Sequence, residues 1–260
     1  MKILMSRPDY FDVIYEINPW MDTSNRPDKK RALEQWEALH KTYLSLGVEV
    51  ELINQADNQP DMVFTANGGI VKDKMFISGN YRYAERRGEE KHFQEWFKDH
   101  GFDVKKLQYS QGGEGDALFY KKTLYMGYGF RSDKNAHSEI GNLLHAPTVS
   151  LHLIDPYFYD FDTTFCPVGD RGVLYYPHAY DDEGKEIARN IENAVAMTKE
   201  QAENFVGNSV YVDGKLLVSF LDNDLKKKLS RWDVEPILLN MSEYKKAGGG
   251  IKCLTLYIEQ

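Results

Sequence analysis

Four times along the chain, two short apolar runs flank a charged or glycine-containing turn, and a charged amphipathic stretch follows. Residues 62–71 and Met75-Phe76-Ile77, around Lys72-Asp73-Lys74, predict a hairpin. The stretch 84–99 then predicts a helix with Phe93, Trp96 and Phe97 on its apolar face. The second copy reads 116–120, Lys121-Lys122, 123–126 and a helix over 136–144. The third reads 163–168, a turn Gly169-Asp170-Arg171-Gly172, 173–176 and a helix near 183–193. In the fourth, 209–212 and 215–218 flank Asp213-Gly214, a strong hairpin signal, and a helix over 223–232 follows.

Joining the ends completes a fifth unit. Residues 253–258 predict one strand, Lys2-Ile3-Leu4-Met5 a second, and 28–45 the helix. A period of about 45–50 residues is that of a repeat architecture. Closing a ring with strands from both termini is a common way to lock such a fold. The expectation is a single α/β domain over 1–260, a five-bladed ring; an ordinary α/β domain with several hairpins is the other reading of the same pattern.

Composition narrows the partners. A chain of 260 residues can bury a full core, and its net charge of −8 argues against non-specific nucleic-acid binding while leaving room for a small cationic substrate. Two cysteines, Cys166 and Cys253, make no disulfide framework. With no signal-like opening and no apolar run of bilayer length, the expectation is a cytoplasmic protein without a membrane partner.

Several segments carry candidate chemistry. Gly248-Gly249-Gly250-Ile251-Lys252-Cys253 places a thiol just after a glycine triplet, as a nucleophile or as a core cysteine of the last strand. Pro60-Asp61-Met62-Val63-Phe64-Thr65-Ala66-Asn67 groups an acid, an aromatic and an amide, suited to a cation or to a strand entry. Gly112-Gly113-Glu114-Gly115-Asp116 sets two carboxylates in a glycine-rich loop, for acid–base work or a guanidinium clamp, or for a plain turn. Arg131 stands between a strand and a helix, where its fork suits a carboxylate or a surface ion pair. Arg86-Arg87 reads as a solvated helix start. Asp160 and Asp162 would share a strand face, which is unfavourable unless a cation lies between them or one shifts its pKa. His152 is a possible base for Cys253, or a core or surface histidine. No nucleotide loop, metal-spaced Cys/His cluster or esterase elbow occurs, so no cofactor or metal is expected.

Taken in order, 17–21, 60–67, 114–118, 127–133, 155–168 and 248–255 resemble the guanidino-group-modifying superfamily, the penteins, along nearly the whole chain. The resemblance implies a five-bladed α/β propeller and cleavage of a C–N bond in a guanidino substrate, arginine or a derivative. It implies Cys253 as nucleophile, Asp61 and Phe64 at the substrate, and Arg131 on the substrate carboxylate. One of Arg86 and Arg87 matches a second carboxylate contact, with Arg87 as the candidate. Asn67 resembles the arginine dihydrolase branch, where other branches have a carboxylate. The chain departs from the pattern twice. Gly112 falls at the position of the catalytic glutamate, leaving Glu114 as its replacement, and Asp160 stands where a histidine belongs. Asp160 and Glu114 are thus the expected proton carriers, with Asp162 beside the substrate. Two further readings stay open: a non-catalytic binder of a guanidino ligand or protein, and an amidinotransferase. The oligomer is expected to be a monomer or homodimer.

Overall fold

The computed structural model describes residues 1–259. Strand β1 (Lys2–Ser6) runs parallel to β2 (Glu49–Ile53), with α1 (Lys29–Ser45) as the crossover. Hairpin β3 (Gly69–Lys72) and β4 (Met75–Ser78) leads through α2 (Glu89–Asp99) to β5 (Asp103–Lys105), parallel to β4. The pattern repeats with β6 (Ala117–Tyr120), β7 (Thr123–Tyr128), α3 (Lys134–Leu144) and β8 (Thr148–His152). It repeats again with β9 (Phe165–Val168), β10 (Gly172–Tyr175), α4 (Asp182–Arg189) and β11 (Ala194–Ala196). After the short α5 (Lys199–Glu203) come β12 (Val210–Val212), β13 (Lys215–Val218), α6 (Asn223–Ser230) and β14 (Glu235–Leu238). Helix α7 (Ser242–Lys245) precedes β15 (Leu256–Glu259), which returns to β1 antiparallel and sets Leu256 opposite Leu4. The result is five three-stranded sheets, one of them made from both ends of the chain.

Local chemistry explains the elements. Asp213 and Gly214 both have positive φ, as a two-residue hairpin turn of this kind requires, and Val212 pairs with Lys215 across it. Asp28, Asp133, Asp181 and Asp222 each accept a hydrogen bond from a first-turn N–H of the helix that follows, satisfying donors that a helix start leaves free. The helices bury apolar stripes at helical spacing: Trp36, Leu39 and Tyr43 on α1, Phe93 and Phe97 on α2, Leu225 and Leu229 on α6. Among the described residues no helix is long and apolar enough to cross a membrane.

Two expectations are corrected. Each sheet gains a third, parallel strand after its helix (β2, β5, β8, β11, β14), three to five residues long and without clean alternation. The strands also start later than the apolar runs suggest. Residues Pro60–Val63, Thr65–Gly68, Gly113–Gly115, Phe161–Thr163 and Val206–Asn208 form single 3₁₀ turns ahead of the sheets, and Cys253 likewise lies in a turn rather than in β15. Asp160 and Asp162 therefore do not share a strand face.

Those turns meet at the centre of the ring and are hydrogen-bonded to one another all the way round. Asn67 Nδ2 donates to Gly112 O at 2.9 Å, and Phe161 N to Asp116 Oδ1 at 3.0 Å. Asn208 Nδ2 lies 3.3 Å from Asp162 O, Cys253 N donates to Asn208 Oδ1 at 3.2 Å, and Ala66 N to Cys253 O at 3.1 Å. The turns carry the polar side chains, and the strands behind them supply the rigid support.

Candidate active site

The glycine triplet that ends α7 brings the chain to the ring centre. Gly248 has φ +80°, a conformation that side chains rarely adopt, and a Cβ on Gly249 would run into the Phe64 ring. Cys253, 2% exposed, then sits between two polar side chains. Asn208 Nδ2 is 3.0 Å from Sγ, and the thiol faces Asp162 Oδ2 at 3.2 Å. A narrow cleft, with a cavity volume of only about 10 Å³, lies above it, lined by Asp61, Phe64, Asn67, Arg86, Arg131, Tyr159, Asp160 and the glycine segment.

Two arginines form the far walls. Arg86 is fully enclosed: its Nε and Nη2 each reach a Glu89 oxygen at 2.8 Å, and Nη1 donates to Asn67 Oδ1 at 2.9 Å. This fork holds Asn67 in place and leaves Arg86 little free donor capacity. Arg131 lies 4.2 Å over the Tyr159 ring, and its Nη1 donates to Asp160 Oδ2 at 2.9 Å. Tyr15, from the segment between β1 and α1, caps the cleft by donating to Asp61 Oδ2 at 3.0 Å.

Charge is not balanced here. Asp61, Glu89, Asp160 and Asp162 are buried at or near the cleft, opposed by Arg86, Arg131 and, for Asp162, Lys252, which is itself paired with Glu114. Asp61 Oδ1, Asp160 Oδ1, Asp162 Oδ1 and Arg131 Nε are buried with no hydrogen-bond partner, a costly state for charged groups. Burial pushes the Asp162 carboxyl well up, with Asp160 adding to it, and burial also raises Asp61 against the pull of Arg86. Asp160 is raised by burial, which Arg131 opposes. Asp116, which accepts from Ser132 Oγ at 2.6 Å, is pushed to about 7 by burial and by Asp160. The Cys253 thiol is held well above its ordinary range, first by burial and then by Asp162 and Asp160. A bound cation would partner the orphan oxygens of Asp61 and Asp160, favour the ionised carboxylates and favour the thiolate, whereas Arg131 Nε, a donor, needs an acceptor.

Of the residues singled out in the sequence, Cys253, Asp61, Phe64, Asn67, Arg131 and Asp160 line this cleft. Asp162 lies against the sulfur. The two aspartates trade their expected places: the one on the thiol is Asp162, while Asp160, expected as a proton carrier, is paired with Arg131. Glu114 is not brought to the cleft. Its Oε2 accepts from Lys252 Nζ at 2.8 Å and from Tyr257 N at 3.1 Å, because Lys252 and Cys253 project to different sides of the turn. Arg87 is also absent from the cleft; it donates to Tyr81 O and Arg82 O, each at 3.1 Å, and Arg86 takes the inner position. His152, at the end of β8, pairs with Asp181 and stacks on Tyr128. Sequence reasoning missed Asn208, Tyr159 and the Glu89 partner of Arg86. Asn208 had one usable signal: it precedes β12 much as Asn67 precedes β3.

A family model described as N,N dimethylarginine dimethylhydrolase, eukaryotic, matches residues 12–259. The chain belongs to this family. Among other members of the guanidino-group-modifying superfamily, it is 39% identical, over its full length, to the bifunctional arginine dihydrolase/ornithine cyclodeaminase ArgZ of Synechocystis sp., of which it spans 38%. It is 36% identical over 99% of its length to the N(G),N(G)-dimethylarginine dimethylaminohydrolase of Mycobacterium tuberculosis, covering 85% of that protein. A crystal structure of the N-terminal domain of ArgZ, covalently bound to a reaction intermediate, superposes with a TM-score of 0.95 at 38% identity, covering 100% of this chain and 98% of that one. The dimethylarginine dimethylhydrolase family thus accounts for the five-sheet ring, which has the architecture of a pentein propeller.

Proposed function

We propose that the chain is a hydrolase that cleaves a C–N bond of a guanidino compound, arginine or a derivative, through a thiouronium on Cys253. The observation that carries this reading is a thiol held between Asn208 and Asp162 at the floor of a cleft whose buried carboxylate oxygens lack partners. Both the charge excess and the planar donor set of a guanidinium fit those oxygens.

The reaction follows from the groups present. Asp61 and Asp160 hold the guanidinium and disperse its charge. Asp162 accepts the thiol proton across the 3.2 Å contact; its raised pKa brings it nearer to that of a thiol and makes it a competent base. Asn208 Nδ2 donates to the sulfur anion. The thiolate adds to the central carbon and gives a tetrahedral adduct. Asp162 returns the proton to one nitrogen, which leaves as ammonia or an amine, and an S-alkylthiouronium remains on Cys253. Water then attacks the same carbon with Asp162 taking its proton; the carbon–sulfur bond breaks, and a ureido product departs. Glu114 acts behind the site by holding Lys252. We infer a cytoplasmic setting, where a reducing medium keeps Cys253 a free thiol, and action as a monomer or homodimer.

A panel of guanidino compounds, assayed by mass spectrometry with the unmodified chain and with Cys253→Ala, tests the reading. A ureido product that requires Cys253 is the expected result; no product across the panel defeats it. One observation favours a second reading, a guanidino-binding protein without turnover: Asp160 is tied to Arg131 where the resemblance calls for a histidine. Product formation by the unmodified chain excludes that reading. Product that appears only with an added amine acceptor would mark an amidinotransferase.

A further inference from the structure

Arg131 is the residue that the resemblance assigns to a substrate carboxylate, yet a buried carboxylate already faces its charge, while its Nε stays without a partner. Nη1 donates to Asp160 Oδ2 at 2.9 Å, and the two side chains are 9% and 1% exposed. Asp160 Oδ1 is buried without a partner, so a carboxylate arriving at Arg131 would lie beside a second, buried carboxylate. The other arginine offers no substitute, because Glu89 forks onto Arg86 through both oxygens. Asp61 Oδ1 and Asp160 Oδ1, on two residues that line the cleft, stay buried without a partner. A guanidinium with a cationic tail offers donors to both, whereas an α-amino acid adds a further acceptor with its carboxylate.

From this we propose that the cleft selects guanidino compounds that lack a carboxylate, guanidinoalkylamines above all, over α-amino acids, with Asp160 as the residue that sets this preference. The inference rests on the hydrolase reading above and refines its substrate class. Asp160 acts by neutralising Arg131 and by leaving one oxygen free for a cationic ligand.

Titration calorimetry and turnover with the full chain test it, using arginine, arginine methyl ester and (4-aminobutyl)guanidine. The unmodified chain is expected to bind the ester and the amine at least about tenfold more tightly than arginine, which is about 1.4 kcal/mol. In Asp160→Asn, Arg131 is released, and the ratio should shrink or reverse through a gain in arginine binding. Arginine bound as tightly as the ester by the unmodified chain overturns the proposal without any variant, and so does a ratio unchanged in Asp160→Asn. Turnover of arginine but not of the amine defeats this inference alone. If no guanidino compound binds or reacts, the hydrolase reading falls and takes this inference with it.

Discussion

At the residue scale, the site is governed by titration. Asp116, Asp160 and Asp162 are each raised by burial, and the nearby carboxylates Asp160 and Asp116 also raise Asp162. Asp116 keeps a proton in the folded chain between its ordinary 3.8 and about 7 that the unfolded chain gives up, so unliganded stability falls as pH rises through that window. A guanidinium ligand favours the ionised forms and expels those protons. Its affinity should therefore rise with pH through about 7, where Asp116 ionises in the unliganded chain. Calorimetric titration in buffers of different ionisation enthalpy checks both the trend and the proton release, and affinity that falls with pH contradicts it. Cys253, Asp61 and Arg131 were picked out by the ordered resemblance, since each stretch taken alone kept a plain structural alternative open. Asn208 was not, since one amide in Val206-Gly207-Asn208-Ser209 offers only its place ahead of a strand until the fold brings it to the sulfur. The exchanged places of Asp160 and Asp162 follow from the same limit: a 3₁₀ turn, not a strand, decides which of them faces Cys253.

At the element scale, α2 and the turn ahead of it act as one polar unit. Arg86, at the end of the turn, ties to Glu89 at the helix start, and both are essentially sealed from solvent. Arg86→Met leaves Glu89 buried without its partner and should cost about 3–5 kcal/mol, read as a lower midpoint in urea unfolding. Combining it with Glu89→Leu should return much of that loss, because Glu89 is no longer a buried charge without a partner, while Asp61 and Asn67 still lose Arg86. A double variant no more stable than the single one would show that the pair does more than neutralise itself. From the sequence, Arg86-Arg87-Gly88-Glu89-Glu90 read as a solvated helix start; a run of charges cannot show which of its members turns inward. The hairpins were legible because turn residues such as Asp213-Gly214 are local determinants. The parallel third strands were not. Asp103-Val104-Lys105 becomes a strand only by pairing with β4, and Glu235-Pro236-Ile237-Leu238 carries a proline that local reasoning counts against a strand.

At the scale of the whole molecule, the ring closes through the ends of the chain. Among the described residues β15 is hydrogen-bonded to β1 alone within its sheet, yet the turn just before it carries Cys253. Closure and site are therefore one structural event. Leu256, fully buried opposite Leu4, is its apolar anchor. Leu256→Ala should cost about 2–5 kcal/mol and weaken guanidine binding as the Cys253 turn loosens, measured by thermal unfolding and calorimetry together. The fivefold period made this closure legible from the sequence, even though the bonded circle of turns at its centre was not. The central claim is that Cys253 carries the substrate carbon during turnover. Intact-mass spectrometry after rapid acid quench, on the full chain mixed with a guanidino substrate that it converts, tests this most directly. The expected result is a thiouronium adduct that appears before product, maps to Cys253 and is absent in Cys253→Ala. Product formed at the same rate by Cys253→Ala, with no adduct on the unmodified chain, would contradict the account.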